Sequence, residues 1–267
     1  VIRARDDAFR RYGCLAHFQD GVSRVTASIN PKVLDETGAP VGCIGNLVLS
    51  GHPAPILDTA HTWLRNHGAR IVRGPIVRHT WYPFRAVTSG FENWPAFSGE
   101  PWNTAELPRQ LDENGYSVRW TYLTTRTKTL MPAEKSAVKL QRFRDAGFHI
   151  RSLDVSRLYE DLALIYQLIH RSFSPPQNTM FVPIDIEEFL VVLGVLPEAD
   201  ITLGLDPEWV QLCFTADGSP AGFILLTREG DLASIKTLCV APEYRGAGVG
   251  GLSHQHLRRR RWSNIHR

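Results

Sequence analysis

Apolar and polar positions change period along the chain, and the changes mark its elements. Two apolar runs, "LAHFQ" and "VSRVTASI", flank Asp20-Gly21. Such a pair predicts a β-hairpin, because glycine accepts the positive φ that tight hairpin turns require. The arrangement returns later as "VQLCFTA", then Asp217-Gly218, then "AGFILLT". After each hairpin come another apolar stretch, a turn and a helical period. The first helix reads over "PAPILDTAHTWLRNHG", where Ile56, Leu57, Ala60, Trp63 and Leu64 share one face. Prolines open it and Gly68 closes it, as helix capping expects. The second reads over "GLSHQHLRRRRW". Hairpin, strand, helix and strand therefore occur twice in the same order, which predicts two similar domains.

Residues 132–147, "PAEKSAVKLQRFRDAG", read as a polar connecting helix docked by Val138 and Phe143 and ended by Gly147. "FHIRSLD" starts a new strand, and "VSRLYEDLALIYQLIHRSF" is an amphipathic helix. Its stripe is Leu158, Leu162, Ile165, Tyr166, Ile169 and Phe173, with Asp154 or Ser156 as N-cap. A further helix, "DIEEFLVVLGV", follows a proline-rich loop. The C-terminal half thus reads β-α-α-β-β-β-α-β. The N-terminal half adds "ARIVRGPI", an aromatic loop, a helix near 104–115 and a strand "SVRWTYLTT". The expected organisation is a domain over 1–131, a connecting helix over 132–147 and a second domain over 148–267.

Composition narrows the class. The chain has 267 residues, 43% hydrophobic and 21% charged, which is ordinary for a globular protein. A net charge of +3 makes no electrostatic argument for nucleic acid. No apolar run approaches the roughly 20 residues of a membrane span, and no signal peptide is visible. Cys14, Cys43, Cys213 and Cys239 lie far apart without metal spacing, so reduced thiols in a cytoplasmic protein are expected. Val1 opens the chain without a methionine, and Arg267 falls where the pattern begins another strand, so trimmed ends are expected.

The candidate chemistry is in "VAPEYRGAGVGG", residues 240–251, between an apolar strand and a helix. Gly246, Gly248 and Gly251 fit the dinucleotide fingerprint literally. However, Pro242, Glu243, Tyr244 and Arg245 separate the strand from the glycines, and residues 252–267 hold no acid for a ribose. A nucleoside triphosphate loop lacks its Gly-Lys-Ser/Thr. The third reading is a cradle for the pyrophosphate of an acyl-coenzyme A. Amides freed at a helix start converge on an anion, and glycines permit close approach. Arg245 supplies fixed positive charge there or shapes the turn.

"LCVAPEYRGAGVGG" resembles motif A of the GCN5-related N-acetyltransferases (GNAT), whose pattern is Arg/Gln-x-x-Gly-x-Gly/Ala after a strand ending in Val-x-Pro. Arg245, Gly248 and Gly250 match it. The resemblance implies a mixed α/β (α+β) sheet, tandem GNAT-like domains and acetyl-CoA, or another acyl-CoA, as co-substrate without a metal. The N-terminal half resembles a degenerate copy, on "WLRNHGARIVRGPI", "SGFENWPAF" and "EPWNTAELPRQLDENGYS". Its equivalent loop, "SGHPAPILD", keeps Gly51 but lacks the motif, and Pro53 and Pro55 remove two amide donors, so no coenzyme A is expected there.

Acyl transfer needs a held thioester, a neutral amine and stabilised charge on the carbonyl oxygen. The resemblance implies that the backbone of Leu238 and Val240 pairs with the pantetheine arm, with Leu238 facing the thioester oxygen. Its cofactor residues are then Leu238, Cys239, Val240, Arg245, Gly246, Ala247, Gly248, Val249, Gly250 and Gly251. Many relatives carry a glutamate on this strand, where Ser234, Lys236 and Thr237 stand here. Cys239 reads as a small buried thiol or as a covalent nucleophile without an evident histidine. His254 and His256 lie on different helix faces, which argues against a metal. Arg258–Arg261 form a solvated helix end or a contact for the adenosine 3′-phosphate, for nucleic acid or for an acyl carrier protein. Trp81, Tyr82, Phe84, Phe91, Trp94, Phe97 and Trp102 line an acceptor pocket or pack a seam between the domains. The expected acceptor is a small-molecule amine, with no nucleic acid and no membrane as partner. A non-catalytic acyl-CoA sensor or scaffold is the other class.

Overall fold

The computed structural model describes residues 2–93, 100–125, 133–175, 178, 180–196, 201–202, 206–229, 232–247 and 249. The chain forms two compact units. Unit 1 takes Val1–Thr121 and Met180–Asp200, and unit 2 takes Tyr122–Thr179 and Ile201–Arg267.

Unit 1 opens with α1 (Ile2–Arg10), a helix that the hydrophobic period does not announce because only Ala8 and Phe9 are buried along it. Strands β1 (Cys14–Asp20), β2 (Ser23–Leu34) and β3 (Pro40–Val48) form an antiparallel meander. The predicted hairpin forms, with Asp20 paired to Ser23 and Gly21, at φ 56°, opening the turn. Helix α2 (Ala54–Asn66) then crosses over to β4 (Ile71–Arg73), which joins β3 in parallel. A parallel neighbour requires such a crossover. Ile56, Leu57, Ala60 and Leu64 bury the predicted face of α2 against Val25, Ala27, Ile29 and Ile44, with Trp63 partly buried beside them. Each large aliphatic so buried contributes roughly 1.5–3 kcal/mol.

Helix α3 (Glu106–Glu113) falls inside the predicted range. The strand expected over "SVRWTYLTT" does not form, since residues 116–125 join no ladder, with Val118 79% and Leu123 88% exposed. Alternating apolar residues permit a strand, but only a neighbour's backbone groups make one. Helix α6 (Ile186–Leu193), followed by the short β6 (Val195–Leu196), is also placed differently. The sequence puts it in the C-terminal half, whereas it packs within unit 1.

Unit 2 holds α4 (Ala133–Asp145), β5 (His149–Ser152), α5 (Leu158–Phe173), β7 (Ile201–Thr202), β8 (Val210–Phe214), β9 (Pro220–Glu229) and β10 (Leu232–Val240). Its antiparallel sheet has the order β10-β9-β8-β5. Helix α4 docks through Leu140 and Phe143 against Cys213 and Ala221, while Val138 is 54% exposed. Residues 140 and 143 are three apart and share a face; 138 and 143 do not. On α5 the buried apolar residues are Leu162, Ile165, Leu168 and Ile169, with Tyr166 and Phe173 half-buried at the margin. Asp154 caps the preceding 3-10 turn by accepting from Ser156 N at 2.9 Å. The fully buried Asp161 accepts from both Arg151 amino groups at 2.5 and 2.6 Å and from Asp154 N at 2.9 Å. Both units thus contain a three-stranded antiparallel run leading into a turn, within a mixed α/β fold with two main sheets.

Candidate acyl-CoA site

Among the described residues, β10 pairs with β9 alone and so ends the sheet of unit 2. Its ladder slips by one residue. Ile235 pairs with Leu226 and Thr237 with Leu225, which leaves Lys236 as a bulge. A bulge bends a strand and raises its local twist, so the last four residues of β10 run at a changed angle. Leu238 is 37% exposed there, Cys239 is buried and Val240 half-buried. On β9, Gly222 pairs with Val240; a Cβ on it would lie 2.5 Å from the Cys239 carbonyl oxygen. Only glycine permits that approach.

The Cys239 thiol donates to the Leu168 carbonyl at 3.5 Å, and burial pushes its pKa up. That is the environment of an inert thiol, since the thiolate is the nucleophile. Ser234, the other buried side chain of β10, is also no acid, and the strand carries no carboxylate.

Beyond the strand, Pro242–Tyr244 form a 3-10 turn, with Tyr244 N donating to Ala241 O at 2.9 Å. Ala247 N donates to Tyr244 O at 3.3 Å, and Gly246 has φ 87°, a conformation open to glycine. A full turn therefore stands between strand and glycines, where a dinucleotide fingerprint has the first glycine in the tight turn at the strand end. Val249 is buried with Leu140, Phe143, Cys213 and Ala221. Gly248, Gly250, Gly251, His254, His256 and Arg258–Arg261 lie outside the described residues.

Three contacts join this region to the last turn of α5. Ser172 Oγ donates to Val240 O at 3.4 Å, and an Arg245 amino group donates to Ser172 O at 3.0 Å. Arg171 pairs with Glu243 at 3.2 Å. Ser172 is 2% exposed, and because serine breaks the apolar stripe of α5 the hydrophobic pattern does not announce it.

In unit 1, the matching position after β3 holds Gly51, at φ 62°, and α2 begins behind Pro53 with no side-chain cap. Unit 1 also contains a constellation that the sequence did not reveal. Glu188 on α6 is fully buried. It accepts from Tyr12 and Tyr82 hydroxyls at 2.7 Å each, and from His79 Nε2 at 3.1 Å. Burial alone would raise the Glu188 pKa, but hydrogen bonds from His79 and Tyr12 outweigh it and hold the carboxyl below its usual range. Burial drives His79 the other way for its charge, to below its usual value, against the pull of Glu188. The pair is thus an ionised carboxylate and a neutral imidazole, with Trp81 N donating to His79 Nδ1 at 3.4 Å. Burial also raises both tyrosines, which keeps them as donors. Tyr12, the loop carrying His79 and Tyr82, and Glu188 lie far apart in sequence, so no local pattern could join them.

The aromatic loop is largely consumed in the same packing. Trp81 stacks edge-on to Phe189 and donates from Nε1 to Val182 O at 2.8 Å. Phe84 takes the Arg85 guanidinium at 4.9 Å, and Trp102 is 70% exposed. Trp94 and Phe97 lie outside the described residues. Among the described residues no group of three or more His, Cys, Asp or Glu could hold a metal, and no helix is long and apolar enough to cross a membrane.

In unit 2 an edge strand with a bulge leads through a turn to the glycine-rich sequence, within a mixed α/β fold. Residues 163–260 match the model of the acetyltransferase (GNAT) family. Among solved structures, the chain is similar to a GCN5-related glucosamine N-acetyltransferase region of a fungal multi-domain GH3 β-N-acetylglucosaminidase. That match has 14% identity, a TM-score of 0.50, and covers 97% of this chain and 31% of the other. A GCN5-related N-acetyltransferase from Sphaerobacter thermophilus matches at 16% identity and TM-score 0.40, over 88% of this chain and 64% of that one. The ribosomal-protein-S18-alanine N-acetyltransferase of Escherichia coli matches at 20% identity and TM-score 0.29, over 41% of this chain and 56% of that one. The chain thus spans less than two thirds of each of these three proteins. No curated protein matches it. The fold expectation of tandem GNAT-like domains is met by a likeness that extends over nearly the whole chain.

Proposed function

We propose that the chain is a cytoplasmic N-acyltransferase that moves an acyl group, acetyl first, from acyl-CoA to a small-molecule amine by direct attack. The observation that carries this reading is the bulged edge strand β10 leading through a 3-10 turn into the glycine loop, within the segment that matches the family. The edge backbone of Leu238 and the amide of Val240 suit a pantetheine arm, and an amide at Leu238 suits the thioester oxygen. The amides of 246–251 suit the pyrophosphate. No metal is required by this chemistry, and unit 1 takes no coenzyme A.

A second reading, a non-catalytic acyl-CoA-binding module, is favoured by one observation: β10 carries no carboxylate to accept the amine's proton. One experiment separates the two. The full chain is incubated with acetyl-CoA and a panel of amines, including peptide N-termini and an acyl carrier protein, and free coenzyme A is followed by chromatography. Amine-dependent release supports the enzyme. Saturable binding without release supports the module. Absence of both removes the acyl-CoA reading.

A further inference from the structure

We propose that Arg245 is a strut of the glycine loop, held by the last turn of α5, and not a direct ligand of the phosphates; the inference rests on the acyl-CoA reading. The carbonyls of a helix's last turn have no intrahelical partner. Ser172 O is one of these, and an Arg245 amino group donates to it at 3.0 Å. A cation at a helix C-terminus is also favoured by the helix dipole. Arg245 is therefore engaged by the last turn of α5.

The neighbouring contacts point the same way. Ser172 holds the last carbonyl of β10 through its hydroxyl, and Arg171 holds Glu243 in the 3-10 turn. One helical turn thus fixes three successive parts of the path from strand to glycines: the strand end, the turn and the first loop residue. Arg171 and Glu243 are each about half exposed, so their pair is the weaker tie. Ser172 is buried, and the Arg245 contact is part-buried, so these two set the position. What the arginine contributes, on this account, is a donor at a fixed place rather than a charge.

The test compares Arg245→Gln, which keeps a donor and removes the charge, with Arg245→Leu, which removes both. Acetyl-CoA affinity of the full chain is measured by calorimetry at low and high salt, with thermal unfolding by circular dichroism as the fold control. The strut predicts that Arg245→Gln binds within about threefold of wild type with the wild-type salt dependence, while Arg245→Leu loses about tenfold or more. Equal losses in both variants with a weakened salt dependence would make Arg245 a phosphate ligand and overturn the proposal. Wild-type affinity in both variants would overturn it too. If the wild type itself does not bind acetyl-CoA, the acyl-CoA reading fails first and the strut falls with it. Should Arg245→Leu not fold, the glutamine variant and its salt dependence decide alone.

Discussion

Glu188 shows how much one side chain can decide. A buried carboxylate is costly unless hydrogen bonds replace its hydration, and here Tyr12, Tyr82 and His79 supply three donors. Glu188→Gln keeps the shape but removes the charge and turns two of its own hydrogens toward groups that donate. We expect a loss of roughly 2–3 kcal/mol in chemical denaturation, the scale of hydrogen bonds lost to a buried charged group; a loss below about 1 kcal/mol would contradict the buried network. The pH dependence follows from His79. Its folded pKa is depressed by burial, so the unfolded chain binds the proton first as pH falls. Stability is therefore greatest above the unfolded value of about 6.5 and declines as pH drops through it. His17 and His61 are shifted in the same direction by burial, so the diagnostic quantity is a difference between proteins. His79→Gln should show a shallower fall in unfolding midpoint between neutral and mildly acidic pH than the wild type.

Among the elements, β10 is where fold and function meet. Its approach to β9 depends on Gly222, whose missing Cβ leaves room for the Cys239 carbonyl. Gly222→Ala places a methyl group 2.5 Å from that oxygen, too close for any real contact. Backbone must shift, at a cost of roughly 1–3 kcal/mol by the usual penalty of overpacking. The expected outcome is a lower unfolding midpoint together with weaker acetyl-CoA binding, because the displaced atoms belong to the proposed pantetheine edge. An alanine variant with wild-type values for both would show that the strands have slack. Helix α6 makes the complementary point. Its apolar period was readable, but its partners were not, because Arg11 meets Asp185 at 2.9 Å and Lys32 meets the Pro183 carbonyl at 3.0 Å from far along the chain.

For the whole molecule, the question is how many cofactor sites two similar halves provide. The loop of unit 2 keeps Arg245 and its glycines, whereas the loop of unit 1 has prolines at 53 and 55. Proline carries no amide hydrogen, so unit 1 lacks donors where the pyrophosphate would lie. We expect calorimetry to give one coenzyme A per chain. Gly248→Val should abolish that site, since a branched side chain fills the space of the phosphates. Gly51→Asn, compatible with the positive φ at that position, should leave it intact. Two equal sites, or binding that survives Gly248→Val in a folded protein, would contradict the assignment.

The sequence by itself determined the local elements and the motif. Both hairpins, the buried face of α2, the stripe of α5 and the order of strand, turn and glycine loop were legible, because period and turn chemistry act over a few residues. Only the tertiary structure decided what joins distant segments. It left "SVRWTYLTT" without a ladder, moved α6 into unit 1, gathered Tyr12, His79 and Tyr82 around the Glu188 carboxylate, and set Ser172 against Val240 and Arg245. The physical reason is the same in each case. Ladder pairing, the burial of a charge and the capping of a helix's last carbonyls depend on which groups the folded chain brings within about 3 Å, and no local pattern records that distance.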